Sequence, residues 1–178
     1  MNHQINESFF IVTDSREKQP LFPYGPKATL SYGDYTIGMD TENGLKLFDD
    51  VVIVERKKSS EWAGNISSGR ARFIRELERM KNCTHKYLVI EDDLGNVLEP
   101  AYSRVNRRFI ITSTVDFSLH YGIQPIFAQS ASLAAEFTKT LMERVIKKIG
   151  SDELAGTAEP KKINQSPINE RIENGQHL

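Results

Sequence analysis

In VVIVERKKSSEW, residues 51 to 62, four consecutive β-branched residues run straight into Glu55, Arg56, Lys57 and Lys58, and the segment closes with Glu61 and Trp62. Burying ions is costly, so a strand built for an interior that ends in opposed charges is either surfacing into solvent or serving a site that needs them. Alternate side chains of a strand share a face, which groups Glu55 and Lys57 with Val51 and Ile53 and points Arg56 the other way. A carboxylate two residues before a lysine, with another acid on an earlier strand, is the set that metal-dependent phosphodiester cleavage requires. Two or more carboxylates hold a hard divalent cation, the cation activates a water and neutralises the scissile phosphate, and the ammonium orients the nucleophile or steadies the developing oxyanion. Asp34, after the tight turn at Gly33, is the natural earlier acid. Taken alone, a Glu-x-Lys is weak evidence, because solvated Glu/Lys pairs are common.

The elements around these residues follow from periodicity. FFIVTDS reads as a buried strand ending at Asp14, and EKQPLFPYGP, with three prolines and a glycine, as a loop. A second strand falls in KATLSYGDYTIG, interrupted at Gly33-Asp34, and TENG makes a hairpin turn before LKLFDDVVIVERK, giving two or three adjacent antiparallel strands. SSEWAGNISSGRARFIRELERMKN changes period and predicts one amphipathic helix, with Phe73, Ile74, Leu77 and Met80 on one face and Arg72, Glu76 and Arg79 on the other. KYLVIED is a strand, FIITSTVDFSLHYG a helix, QPIFAQ a strand, and SLAAEFTKTLMERVIKKIG a long helix ended by Gly150. Strands alternating with helices after an opening meander predict an α/β sandwich with a mixed sheet. Residues 151–178 have few large apolar side chains and no sustained period, and read as a flexible tail after a single domain over 1–150.

The 178 residues suffice for one domain with a real core, and 39% hydrophobic with 26% charged residues is an ordinary soluble composition. No apolar run reaches bilayer length and MNHQINESFF lacks the features of a signal peptide, so no membrane partner and a cytoplasmic location are expected. Cys83 is the single cysteine, and His3, His85, His120 and His177 are too scattered for ligand pairs. The formal charge is −1; the segment 151–178 has five acids against three bases, so it holds −2 and the remainder +1. Contact with phosphates therefore has to come from a local patch.

The combination of motifs is far more specific than the Glu-x-Lys. GDY at 33–35, ERK at 55–57 and an acid at Glu61 resemble the GDX…ERKXXXD signature of the XPF-type structure-specific endonuclease domain shared by XPF, Hef and Mus proteins. VTDSRE at 12–17 is similar to that family's opening strand, NISSGR at 65–70 to its Ser-Ile-x-x-x-R stretch with Asn65 replacing the serine, and YLVIE at 87–91 to its next strand. The resemblance covers roughly residues 9 to 150.

This resemblance implies a restriction-endonuclease-like α/β fold, a mixed sheet flanked by helices, and cleavage of branched or flapped DNA with Mg²⁺ or Mn²⁺. Carried over residue by residue, it makes Asp34 and Glu55 metal ligands, Asp14 a further acid near the centre, and Lys57 the group that positions water or phosphate. Arg56 becomes a structural charge, paired with Glu61 at the start of the following helix. The signature's last acid is usually Asp, and the extra methylene of Glu61 matters less for an ion-pair role than for tight ligation. No tandem helix-hairpin-helix pattern follows Gly150, so a stand-alone nuclease is expected, alone, as a homodimer or with a partner protein. Arg16, Arg70, Arg72, Arg104, Arg107 and Arg108 are the candidate DNA contacts; the last three form the densest basic cluster, in a loop before a helix. Trp62 reads as a core anchor, Tyr35 as packing beneath the site, and Glu91 as either a surfacing charge or a site-edge residue. The rival functions are a catalytically inactive DNA-binding or dimerisation module of the same fold, and a nuclease of the Holliday-junction-resolvase kind.

Overall fold

β-Branched and aromatic residues recur in the longer strand-forming segments, and the computed structural model, which describes residues 2–99 and 105–150, assembles the strands into one mixed sheet. Its strands are β1 (Phe9–Asp14), β2 (Lys27–Ala28), β3 (Tyr35–Thr41), β4 (Gly44–Leu47), β5 (Val52–Lys58), β6 (His85–Glu91) and β7 (Ile123–Phe127). The spatial order is β2-β1-β3-β5-β6-β7, with β4 hydrogen-bonded to the second half of β3. β1, β3 and β5 are antiparallel neighbours, whereas β5, β6 and β7 run parallel. Parallel neighbours need crossovers, and these supply the helices α1 (Ser59–Ile66), α2 (Arg70–Arg79), α3 (Leu94–Leu98) and α4 (Arg107–Tyr121); α5 (Ala131–Ile149) follows β7.

The helices cover both faces. Trp62, Ile66, Phe73, Leu77, Val97, Ile110 and Phe117 from the crossover helices pack with Val12, Ile53, Leu88 and Ile90 of the sheet. Trp62, Phe73 and Phe117 meet edge-to-face, with ring centroids 5.3–6.0 Å apart, and pin α1, α2 and α4 together. On the opposite face Ala134, Ala135, Met142, Val145 and Ile146 of α5 pack on Phe9, Ile11, Ile37, Val52, Val54 and Val89. No helix among the described residues is long and apolar enough to cross a membrane.

Three local expectations are corrected, and one helix is added. The amphipathic segment after β5 is two helices: the Ser67 hydroxyl donates to the Ala63 carbonyl (2.6 Å), and the amides of Ser67 and Gly69 turn back to Gly64, so the chain breaks at Ser67–Gly69. Val51 does not share the Ile53 face; it lies in a turn where the amides of Val51 and Val52 both donate to the Phe48 carbonyl, and it packs against the α5-side core. Arg107 and Arg108 belong to the first turn of α4, which Asn106 caps by accepting the Arg108 amide (2.8 Å). Helix α3, capped by Asp93, gives no sequence signal, because five residues carry too little periodicity. Arg104 and the segment 151–178 lie outside the described residues.

Candidate active site

Gly33 opens the site. Its φ is +67°, and a Cβ there would overlap Ile53 Cγ1, so only glycine brings the chain this close to β5. The next residue is thereby stitched between strands: the Asp34 amide donates to the Val54 carbonyl (2.9 Å) and its carbonyl accepts the Asp14 amide (2.8 Å). The Asp34 carboxylate accepts the Arg56 amide at Oδ2 (2.7 Å). The parity of β5 then turns Glu55 and Lys57 to the same side as Ile53, toward α2.

Asp14, Arg16, Glu17, Tyr32, Asp34, Glu55, Lys57, Glu76 and Arg79 line an open cleft of about 190 Å³. Lys57 Nζ donates to Glu55 Oε1, lies 3.7 Å from Glu76 Oε2, and sits 5.6 Å from the centre of the Phe73 ring. Asp14 is already saturated by the Arg16 amide, the Arg16 guanidinium at both oxygens (2.7 and 2.8 Å) and the Leu30 amide (2.9 Å). Arg16 also donates to the Leu30 carbonyl, yet its side chain remains 61% exposed at the mouth of the cleft.

Five carboxylates therefore face three cations, and burial adds to that imbalance at Asp34 and Glu55. Burial, then the Glu55 charge, pushes the Asp34 carboxyl up to about 8, against the Arg56 amide and the Lys57 ammonium. Burial also raises Glu55, with Lys57 opposing. For Lys57, burial works to discharge the ammonium, but Glu55, with help from Glu76 and Asp34, holds its pKa above the ordinary value. Burial would raise Asp14 too; its hydrogen bonds from Arg16 and Leu30 outweigh that and keep it low. Among the described residues, no three His, Cys, Asp or Glu side chains are grouped to hold a metal by themselves. Asp34 and Glu55, whose carboxyl pKa values burial raises, are nevertheless a fitting pair of hard donors for a divalent cation that keeps several waters.

The other predicted residues are placed elsewhere. Arg56 does not pair with Glu61: across the sheet its Nε meets Glu91 Oε1 (2.5 Å), and its Nη1 reaches the Gln19 carbonyl (2.6 Å) and Glu17 (3.7 Å). Glu91 is thus a partner of the site's frame. Glu61 accepts the Lys58 amide (3.3 Å) and caps α1, where a longer acid serves as well as Asp. Arg70 is held against α4, stacked on Phe117 and Phe109 and bonded to Ser113 (2.9 Å) and Asp116. Arg72 is exposed and touches Asn65 and Glu76. Arg107 and Arg108 are exposed on α4. Trp62 is fully buried, and the buried Tyr35 accepts the Leu21 amide at its hydroxyl (3.0 Å).

Sequence reasoning misses two of the cleft carboxylates. Glu17 is available as the last acid of VTDSRE. Glu76 looks like one more charge on the solvated face of a helix, and only the packing of Phe73 beneath Lys57 reveals that this face borders the site.

A model of the ERCC4 domain family matches residues 26–141. Among solved structures, XPF from Aeropyrum pernix superposes with a TM-score of 0.60 at 21% identity, over 82% of this chain and 68% of that one. XPF from the same organism in complex with DNA gives 0.58 at 22% identity, over 78% of this chain and 64% of that one. The chain thus spans about two thirds of the length of these structures. A comparison with curated proteins finds no match. The likeness to the two structures carries the sheet and its flanking helices.

Proposed function

The chain belongs to the ERCC4 domain family, and from that premise we propose that it is a divalent-metal-dependent DNA endonuclease acting on branched, flapped or forked DNA in repair, recombination or replication. The observation that carries this reading is the convergence of Asp34, Glu55 and Lys57 in one acid-rich cleft.

Asp34 and Glu55 would hold Mg²⁺ or Mn²⁺, which when bound supplies charge neutralisation at the scissile phosphate and a more acidic water. The Arg56 amide fixes Asp34 Oδ2, so the ligand's orientation is built into β5 itself. Lys57 carries a permanent positive charge into a partly desolvated site, where an ammonium steadies developing charge on phosphate oxygens more than it does in water. Asp14 anchors the Arg16 guanidinium at the cleft mouth, where its exposed edge meets a phosphate of the incoming strand. Arg107 and Arg108 add phosphate contacts away from the cleft.

The test is a cleavage assay on flap, fork, nicked and four-way DNA in Mg²⁺, in chelator and in Ca²⁺, with Glu55→Gln as control. Metal-dependent cutting of at least one branched substrate, lost in Glu55→Gln, is the expected result. Binding without cutting under every condition would leave an inactive DNA-binding module, and cutting confined to four-way DNA would favour a resolvase.

A further inference from the structure

We propose that Glu76 is a positioning residue: a second carboxylate that draws the Lys57 ammonium away from Glu55 when a divalent cation takes up Asp34 and Glu55. This rests on the metal-site reading above.

Lys57 Nζ now donates to Glu55 Oε1, one of the two oxygens that this carboxylate would offer a cation. An ammonium and a divalent cation on one carboxylate repel each other strongly where water is scarce, and the Lys57 side chain is only 14% exposed. Lys57 therefore needs another anion within reach, or it must leave the site. Glu76 Oε2 lies 3.7 Å from Nζ, close enough for a small side-chain rotation to transfer the ammonium.

Glu76 is built to receive it. Its other oxygen, Oε1, faces the exposed Arg72 Nε at 3.7 Å, so the carboxylate lies between two cations. Its helix cannot drift, because Phe73 and Leu77, which flank Glu76 on α2, are buried in the core. The Phe73 ring also lies 5.6 Å from Nζ, a π face over which an ammonium moves without losing all stabilisation. With the transfer made, Glu55 is released and Lys57 stays charged beside the cleft.

The experiment is a double-mutant cycle on the full chain, titrating Mn²⁺ calorimetrically without DNA. Glu76→Gln, nearly the same shape, should weaken Mn²⁺ binding by roughly tenfold or more, the usual cost of losing a supporting partner of a metal site. Lys57→Met removes the competitor and should bind Mn²⁺ at least as tightly as wild type. In the Lys57→Met background, Glu76→Gln should change affinity by less than about twofold, since Glu76 then has no ammonium to draw off Glu55 and keeps only its contact with Arg72. Glu76→Asp, which keeps the charge, should restore part of the affinity. An equal loss from Glu76→Gln in both backgrounds would show that Glu76 acts on the cation directly, and no loss in either would remove it from the site; both overturn the proposal while leaving the metal site standing. A wild-type chain that binds no Mn²⁺ would overturn the metal-site reading and this inference together.

Discussion

Asp34→Asn removes one carboxylate from a cleft that holds too many, while the asparagine oxygen still accepts the Arg56 amide now 2.7 Å from Oδ2. The effect on stability, measured in chelator, should depend on pH in a defined direction. The carboxyl titrates near 8 in the folded chain and near its ordinary value of 3.8 when unfolded. Below about pH 4 both states are protonated, and the variant and wild type should be equally stable. Between about pH 4 and 8 the unfolded wild type gives up its proton while the folded one keeps it, so wild-type stability falls relative to the variant by about 1.4 kcal/mol per unit. Above about pH 8 both states are ionised and the gap levels off. The two titration points set a ceiling of about 6 kcal/mol for that gap, and water entering the open cleft reduces it; a gain of about 2 kcal/mol for Asp34→Asn at pH 8 is expected. Urea denaturation from about pH 4 to 8.5 measures it. Millimolar Mg²⁺ should then stabilise wild type and leave the variant unmoved. A stability difference that is flat across the range, or a variant less stable than wild type at pH 8, would refute the picture of an Asp34 carboxyl held up by desolvation and by the Glu55 charge.

Arg56→Met should destabilise the chain by about 3–5 kcal/mol in denaturant titration, because it leaves Glu91 buried without its partner, and adding Glu91→Gln should recover a large part of the loss. Gly33→Ala should cost about 1–3 kcal/mol and abolish cleavage, since φ of +67° and the overlap of a new Cβ with Ile53 force the Asp34 turn to move. Glu61→Gln should cut at near wild-type rate, because glutamine can still accept the Lys58 amide at the start of α1. Arg107→Ala with Arg108→Ala should weaken binding to every DNA structure in Ca²⁺ and flatten the slope of log K against log salt by about one unit for each phosphate no longer neutralised, read by fluorescence anisotropy.

Most of the sheet was legible because its long strands announce themselves locally, whereas the two-residue β2 has no signal of its own and β4 and β5 read as one stretch. β1, β5 and β6 are apolar runs that end in charge, and the turn before Tyr35 is marked by its glycine. The break between α1 and α2 was less visible, since the apolar period of Trp62, Ile66, Phe73 and Leu77 continues across it. What divides the helix is a set of hydrogen bonds onto Gly64, made by Ser67 and Gly69, that compete with the helical ladder without disturbing that period.

The same distinction separates the parts of the site that could be read from those that could not. Glu55 and Lys57 are two residues apart on one strand, and strand parity brings them together whatever the rest of the chain does. The partnership of Arg56 with Glu91 spans 35 residues and exists because β5 and β6 are parallel neighbours, with Lys58 opposite Glu91 in the register. Its alternative, Arg56 with Glu61, satisfied sequence proximity but not geometry: Glu61 lies in the first turn of a helix, and the donor it meets there is the Lys58 backbone amide. A helix terminus always leaves such amides open, whereas the end of a buried arginine needs a carboxylate delivered from an adjacent strand. The charge that frames β5 therefore comes from across the sheet, and the charge that follows it in sequence serves the next element.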